Sequence, residues 1–98
     1  QNWNILVIKN ITIDTDKFII FKEWNKINLT KNEFDILKKI VSEDWKMVAR
    51  ETLMKDIIWY ENYAFDRTID THIKNIRKKL GQKDLILTIR WKWYRLNK

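Results

Sequence analysis

Short apolar runs alternate with polar breaks over the first third of the chain. Four runs rich in Ile, Val and Phe cover residues 5–8, 11–13, 18–21 and 26–28. No crossover helix fits between runs this closely spaced, so they predict an antiparallel meander of four strands. We therefore expect residues 1–29 to form a small N-terminal sheet.

Helical spacing begins immediately afterwards. Thr30 and Glu33 form a capping box, in which each side chain satisfies a backbone N–H group at the start of a helix. We expect this helix to reach residue 42, and a second helix to cover residues 50–58 with a weak N-cap at Ala49. Their buried residues should be Phe34, Leu37, Ile40 and Val41, followed by Leu53, Met54, Ile57 and Ile58.

A third helix, over residues 67–80, has two very different faces. At about 100° per residue its apolar side chains form one narrow stripe. The stripe consists of Ile69, Ile73, Ile76 and Leu80. The opposite face has no carboxylate and consists of Arg67, Thr71, Lys74, Asn75 and Lys78. Asp66 can cap this helix and Gly81 can end it. One face suits a protein core and the other suits a polyanion.

The tail alternates again, which predicts a terminal hairpin over residues 85–97 with its turn near residues 91–93. The element order is therefore sheet, three helices (residues 30–80) and hairpin. With 98 residues, the chain has room for one core. We expect a single α+β domain over residues 1–98.

Positive charge is concentrated at the end of the chain. Residues 1–29 carry +1, residues 30–64 carry −1 and residues 65–98 carry +7, which accounts for the whole net charge of +7. A concentrated positive field attracts phosphate backbones or anionic lipid. Nucleic acid is the better interpretation of the two.

Catalysis and cofactor binding are poorly supported. The chain has one His, one Ser, one Gly and no Cys, so it offers no catalytic triad, thiolate metal site or glycine-rich phosphate loop. We expect neither an enzyme nor a cofactor. No apolar run approaches the roughly 18 residues of a membrane span, and we expect no signal peptide. A cytoplasmic protein without membrane contact is expected, and the initial Gln predicts a fragment or processed product.

Four segments carry a resemblance to a known family. They are LTKNEFDILKKI (29–40), ARETLMKDI (49–57), RTIDTHIKNIRKKL (67–80) and TIRWKWYRL (88–96). Together they resemble the winged-helix DNA-binding domain of OmpR/PhoB-type response regulators, over essentially the whole chain. The resemblance implies a winged helix-turn-helix fold with a four-stranded antiparallel sheet. It also implies that the third helix enters the major groove and that the hairpin, or wing, reaches the adjacent minor groove.

The resemblance also implies roles for individual residues. The base-facing set would be Thr71, Lys74, Asn75 and Lys78; the phosphate or flank contacts would be Arg67, His72 and Arg77; the wing contacts would be Thr88 and Arg90. The chemistry agrees, since Lys donates to guanine, Asn pairs with adenine and Arg suits a narrow minor groove. In the family the position of Asn75 is often Arg, so the base preference stays open. A packed flank residue is an equal interpretation of His72, and we expect Lys79 and Lys83 to be solvated charges.

Partners follow from the same resemblance. It implies double-stranded DNA, an upstream receiver domain phosphorylated by a histidine kinase, and a dimer on direct-repeat sites. The loop between Trp59 and Phe65 resembles a segment that contacts RNA polymerase, although a plain connector is equally consistent. Two other classes stay open. One is a protein-interaction winged helix, and the other is a nonspecific RNA or single-strand binder that stacks bases on Trp91, Trp93 and Tyr94.

Tryptophan is unusually abundant in this chain, and glycine is unusually rare. The chain has six Trp and one Gly, where about seven Gly are ordinary for this length. The family usually has Gly at five of the six: Trp24, Trp45, Trp59, Trp91 and Trp93. Our hypothesis is that UGA codons, read as Gly in the source, were translated as Trp. The rival interpretations are genuine core or surface aromatics, or a wing whose Trp91 and Trp93 wedge against DNA.

Overall fold

The N-terminal sheet is the predicted meander. The computed structural model describes residues 4–43, 46–58 and 68–97. Strands β1 (Ile5–Ile8), β2 (Ile11–Asp14), β3 (Ile19–Lys22) and β4 (Asn25–Ile27) pair antiparallel in chain order. Side chains of a strand alternate between its two faces, and here the inner face joins the core. Its buried members are Ile8, Ile11, Ile13 and Ile20.

Helix α1 (Lys31–Ser42) begins at the predicted capping box. The Glu33 N–H donates to Oγ1 of Thr30 at 3.2 Å, and the Thr30 N–H donates to Oε1 of Glu33 at 3.0 Å. The predicted buried face is confirmed, with Ile36 as a further member.

Helix α2 (Arg50–Leu53) continues as a π-helical turn over Met54–Ile58, so the predicted extent is confirmed although the second half is wider than an α-helix. Leu53 and Met54 are buried and Ile57 packs against the core. Ala49, the N-cap, makes no side-chain hydrogen bond. The Arg50 N–H is instead satisfied by the Lys92 carbonyl oxygen at 2.8 Å, so the hairpin does part of the capping.

Helix α3 (Thr68–Leu80) is followed by β6 (Ile86–Ile89) and β7 (Trp93–Leu96), which form the terminal hairpin. Gly81 ends α3 with φ of +68°, as predicted. The predicted start at residue 67 and the cap at Asp66 lie outside the described residues. A short strand β5 (Val48–Ala49), which the sequence did not predict, pairs with β7 and completes a sheet of order β5-β7-β6. Within the described ranges, no helix is long and apolar enough to cross a membrane.

The hairpin turn occupies Arg90, Trp91 and Lys92, one residue earlier than expected. Arg90 and Trp91 both have positive φ, of 49° and 44°. Trp91 therefore meets the backbone requirement that favours Gly. Trp24 and Trp93 do not, because the positive φ near Trp24 belongs to Glu23. Trp45 and Trp59 lie outside the described residues.

Candidate nucleic-acid interface

The third helix has the two faces that its sequence predicted. Its four stripe residues are each at most 1% exposed. On the other side, Thr71, Lys74 and Lys78 are exposed and Asn75 is half-buried. The helix therefore presents two ammonium groups, a hydroxyl and an amide to solvent from one face. Arg67, the other residue assigned to this face, lies outside the described residues.

The wing tip is the second exposed cationic feature. Arg90 and Lys92 are exposed at the turn, with the indole of Trp91, 73% exposed, between them. Thr88 is also exposed, on β6. Arginine at such a tip has the charge and reach to enter a narrow, electronegative groove.

Arg77 faces the wing. Its Nε and Nη2 donate to the Ile86 carbonyl oxygen at 3.2 and 2.7 Å, and Nη2 also donates to Oγ1 of Thr88 at 2.8 Å. Two residues that were assigned separate DNA contacts are thus bonded to each other within the protein. At about 100° per residue, Arg77 lies about 70° from the centre of the apolar stripe, at the edge of the buried face. This position is the one feature of the sequence that indicates a contact within the protein for Arg77.

His72 borders the stripe on the other side. Its side chain is half-buried, and its Nδ1 atom is buried without a hydrogen-bond partner in the described part of the chain. This placement favours the packed interpretation over a phosphate contact.

Lys79 is exposed, but it is not only the solvated charge that we expected, because it pairs with Glu33. Its Nζ donates to Oε1 of Glu33 at 2.7 Å, and Glu33 is only 2% exposed. The capping box directs the Glu33 carboxylate inward, and the last turn of α3 brings an ammonium group to it. Burial alone would raise the pKa of Glu33, but the Lys79 ammonium and the Thr30 N–H together hold that pKa below its ordinary value of 4.5.

A second polar network joins α2, α3 and β7. The Arg50 Nη2 atom lies 2.9 Å from Oδ1 of Asp70, which also accepts a hydrogen bond from the Tyr94 hydroxyl. Burial, and then the bond to Asp70, raise the pKa of Tyr94 to about 12. Sequence reasoning missed this network, because its members are far apart along the chain. Asp70 is the one carboxylate of α3, and this network balances its negative charge within the protein. The outer face of the helix therefore stays cationic.

Tyr94 is 2% exposed, and Trp93 is half-buried. The ring of Tyr94 therefore cannot serve as the stacking platform that the single-strand interpretation required. In the described ranges, no group of three or more His, Cys, Asp and Glu side chains is arranged to hold a metal ion.

A four-stranded sheet, three helices and a terminal hairpin beside a cationic third helix define a winged helix-turn-helix domain. A family model described as "Transcriptional regulatory protein, C terminal" matches residues 24–96. The chain belongs to this family, the C-terminal domains of OmpR/PhoB-type response regulators.

Relatives and solved structures agree with this assignment. The transcriptional regulatory protein SrrA of Staphylococcus aureus (strain NCTC 8325 / PS 47) is 33% identical over 79 residues, which are 81% of this chain and 33% of SrrA. The chain thus spans about a third of the length of this curated relative. The response regulator DrrB of Thermotoga maritima, described as an OmpR/PhoB homolog, superposes with a TM-score of 0.84 at 29% identity, covering 97% of this chain and 45% of DrrB. The DNA-binding domain of AdeR, in complex with an intercistronic region, superposes with a TM-score of 0.80 at 32% identity, covering 94% and 98%.

Proposed function

We propose that this chain is a sequence-specific double-stranded DNA-binding domain of a transcriptional regulator. In this proposal α3 lies in the major groove, the wing reaches the adjacent minor groove, and no reaction is catalysed. The observation that carries the proposal is the exposed face of α3, where Lys74, Lys78 and Thr71 point to solvent while the opposite stripe is buried. The family and the DNA complex of AdeR also support DNA binding.

Each of the four side chains assigned to base contacts has a possible partner in the major groove. Lys74 and Lys78 can donate to guanine O6 and N7, Asn75 can pair with adenine N6 and N7, and the Thr71 methyl can contact a thymine methyl. The major groove is about 12 Å wide and admits an α-helix. Arg90, exposed at the wing tip, is assigned to the minor groove and Arg67 to phosphate, both by family position.

The test begins with selection of duplexes from a randomised pool, followed by affinity measurements on the selected site at several salt concentrations. We expect a plot of log K against log salt concentration to be linear, with a slope of about −0.9 for each phosphate contact. We expect Lys74→Ala to lose about 1–3 kcal/mol of discrimination at one base pair. Lys17→Ala, the same charge change in the exposed turn between β2 and β3, is the matched control and should leave that discrimination unchanged.

Other outcomes would point to the alternative classes. A flat salt dependence would favour a protein-interaction winged helix. Equal or stronger binding to single strands would favour base stacking on Trp91, the exposed wing aromatic. Uniform weakening at every sequence by Lys74→Ala would contradict its base-reading role.

The remaining assignments rest on family membership. We propose that in the full-length protein a receiver domain precedes this chain and is phosphorylated by a histidine kinase. Phosphorylation would favour a dimer on direct repeats in the cytoplasm. The segment between Trp59 and Phe65 is proposed as a contact for RNA polymerase. Alanine replacement across this segment should reduce transcription without changing DNA affinity.

A further inference from the structure

One strand of the wing is an edge strand, and Arg77 forms hydrogen bonds with it. Strand β6 is at the edge of the β5-β7-β6 sheet. Edge strands present carbonyl groups that no neighbouring strand satisfies. The Ile86 carbonyl accepts two of the Arg77 hydrogen bonds, and Thr88, two residues further along β6, accepts the third.

This attachment fixes direction as well as distance. A guanidinium is planar and holds its five N–H donors in a rigid fork. Three of those donors engage two points on β6, so both the separation and the tilt of the strand relative to α3 are set. The Thr88 hydroxyl accepts from Arg77 and therefore keeps its own proton to donate outward.

We propose that Arg77 is a positioning residue, which holds the wing at a fixed orientation to α3 so that Lys74 and Arg90 reach adjacent grooves in the same encounter. The inference rests on the proposed function and replaces the phosphate contact assigned to Arg77 from sequence. A wing held in its binding orientation avoids the cost of ordering it on DNA. Arg77 thus contributes to affinity mainly through Arg90.

The hairpin has other attachments, so loss of Arg77 should leave it folded. Strand β7 pairs with β5, and the hydroxyl of Tyr94 is bonded to Asp70. An Arg77→Met variant therefore isolates orientation from folding.

The first experiment is a double-mutant cycle on the selected duplex with the 98-residue chain. We expect Arg90→Ala to weaken binding about tenfold in the wild-type background and about twofold or less beside Arg77→Met, because a wing that is no longer oriented has little contact to lose. Lys83→Met, just after the end of α3, removes one exposed charge that has no assigned DNA contact and is the matched control. In that background, Arg90→Ala should still cost about tenfold. Equal penalties in all three backgrounds would overturn the proposal.

Arg77→Lys separates positioning from charge. An ammonium keeps the positive charge but cannot form the fork to Ile86 and Thr88. We expect Arg77→Lys to behave like Arg77→Met in the Arg90 cycle, although it retains the positive charge. Full rescue by lysine would show that Arg77 acts as a phosphate contact, and would overturn the inference.

A measurement on the free protein makes the outcome independent of DNA. Residual dipolar couplings of backbone N–H groups report the orientation of β6 relative to α3. In Arg77→Met the β6 couplings should no longer fit the wild-type orientation, whereas those within α3 and the N-terminal sheet should. Unchanged β6 couplings would overturn the proposal. If the wild-type chain bound no duplex, the proposed function would fail while this measurement still decided whether Arg77 orients the wing.

Discussion

The ion pair between Lys79 and Glu33 offers a direct measure of what a buried charge contributes to this fold. Lys79→Met keeps most of the apolar stem but removes the ammonium group 2.7 Å from the Glu33 carboxylate. That carboxylate is 2% exposed and would then rely on the Thr30 N–H, 3.0 Å away. The substitution therefore tests whether a buried carboxylate is costly when its cation is removed.

The expected magnitude follows from the exposure of the pair. Breaking a fully buried pair costs about 3–5 kcal/mol. The Lys79 side chain is 37% exposed, so solvent replaces part of the lost interaction. We expect a loss of about 1–3 kcal/mol, out of a total stability on the order of 5–15 kcal/mol for a domain of this size. Tm should fall by about 4–8 °C per kcal/mol.

Urea unfolding at pH 7 measures this loss, and the chain contains its own control. Lys31 pairs with Asp35 at 2.9 Å, but its side chain is 79% exposed. Lys31→Met should therefore cost about 0–0.5 kcal/mol. In the double variant Glu33→Gln/Lys79→Met the two losses should not add, because the uncompensated charge is gone. A Lys79→Met loss no larger than that of Lys31→Met would refute the reasoning.

The pH dependence has a definite sign. The pKa of Glu33 lies below 4.5 in the folded state, so its contribution is fully present above the unfolded value. It is lost as pH falls through the folded pKa. Wild-type stability should thus decline below pH 4.5 with a component that Glu33→Gln lacks.

Three further changes test other parts of the fold. Tyr94→Phe should cost about 1–2 kcal/mol by urea unfolding at pH 7, because Asp70 loses a hydrogen bond. Since the folded pKa of Tyr94 is about 12, against 10.0 ordinarily, its contribution should disappear as pH rises through that range, and an alkaline absorbance titration with an unshifted midpoint would contradict this. Gly81→Ala should cost about 1 kcal/mol in the same unfolding assay, because φ is +68° and the new Cβ would lie 3.1 Å from Nζ of Lys22; an unchanged midpoint would remove the conformational argument. Trp91→Gly should raise stability by about 1 kcal/mol in thermal unfolding, because φ is +44° and the indole is 73% exposed, whereas a fall would favour a genuine tryptophan.

Local pattern was enough to predict the element order. The capping box at Thr30, the apolar stripe of α3 and the glycine stop at residue 81 depend on neighbours within a few positions, and each is confirmed. The exposed cationic face follows from the same periodicity. These features need no knowledge of how one helix packs against another.

Long-range contacts were beyond such reasoning. Lys79 and Glu33 are 46 residues apart, so their pairing depends on how the end of α3 meets the start of α1. Arg77 could be placed at the edge of the buried face, but its acceptors on β6 depend on where the hairpin folds back. Strand β5 has two residues, too few to show a period of two, and exists because β7 offers it a partner.

The unusual tryptophan at the wing tip and the orientation of the wing are physically separate matters. Tight turns with positive φ favour Gly, Asn or Asp, so the identity of residue 91 sets the cost of closing the hairpin. The Arg77 bonds engage Ile86 and Thr88 on β6, away from Trp91. The acceptors of these bonds, a backbone carbonyl and a hydroxyl, are not altered by a substitution at residue 91. Whether UGA or UGG encodes residue 91 therefore decides how the wing ends, while the orientation of β6 to α3 depends on the Arg77 bonds.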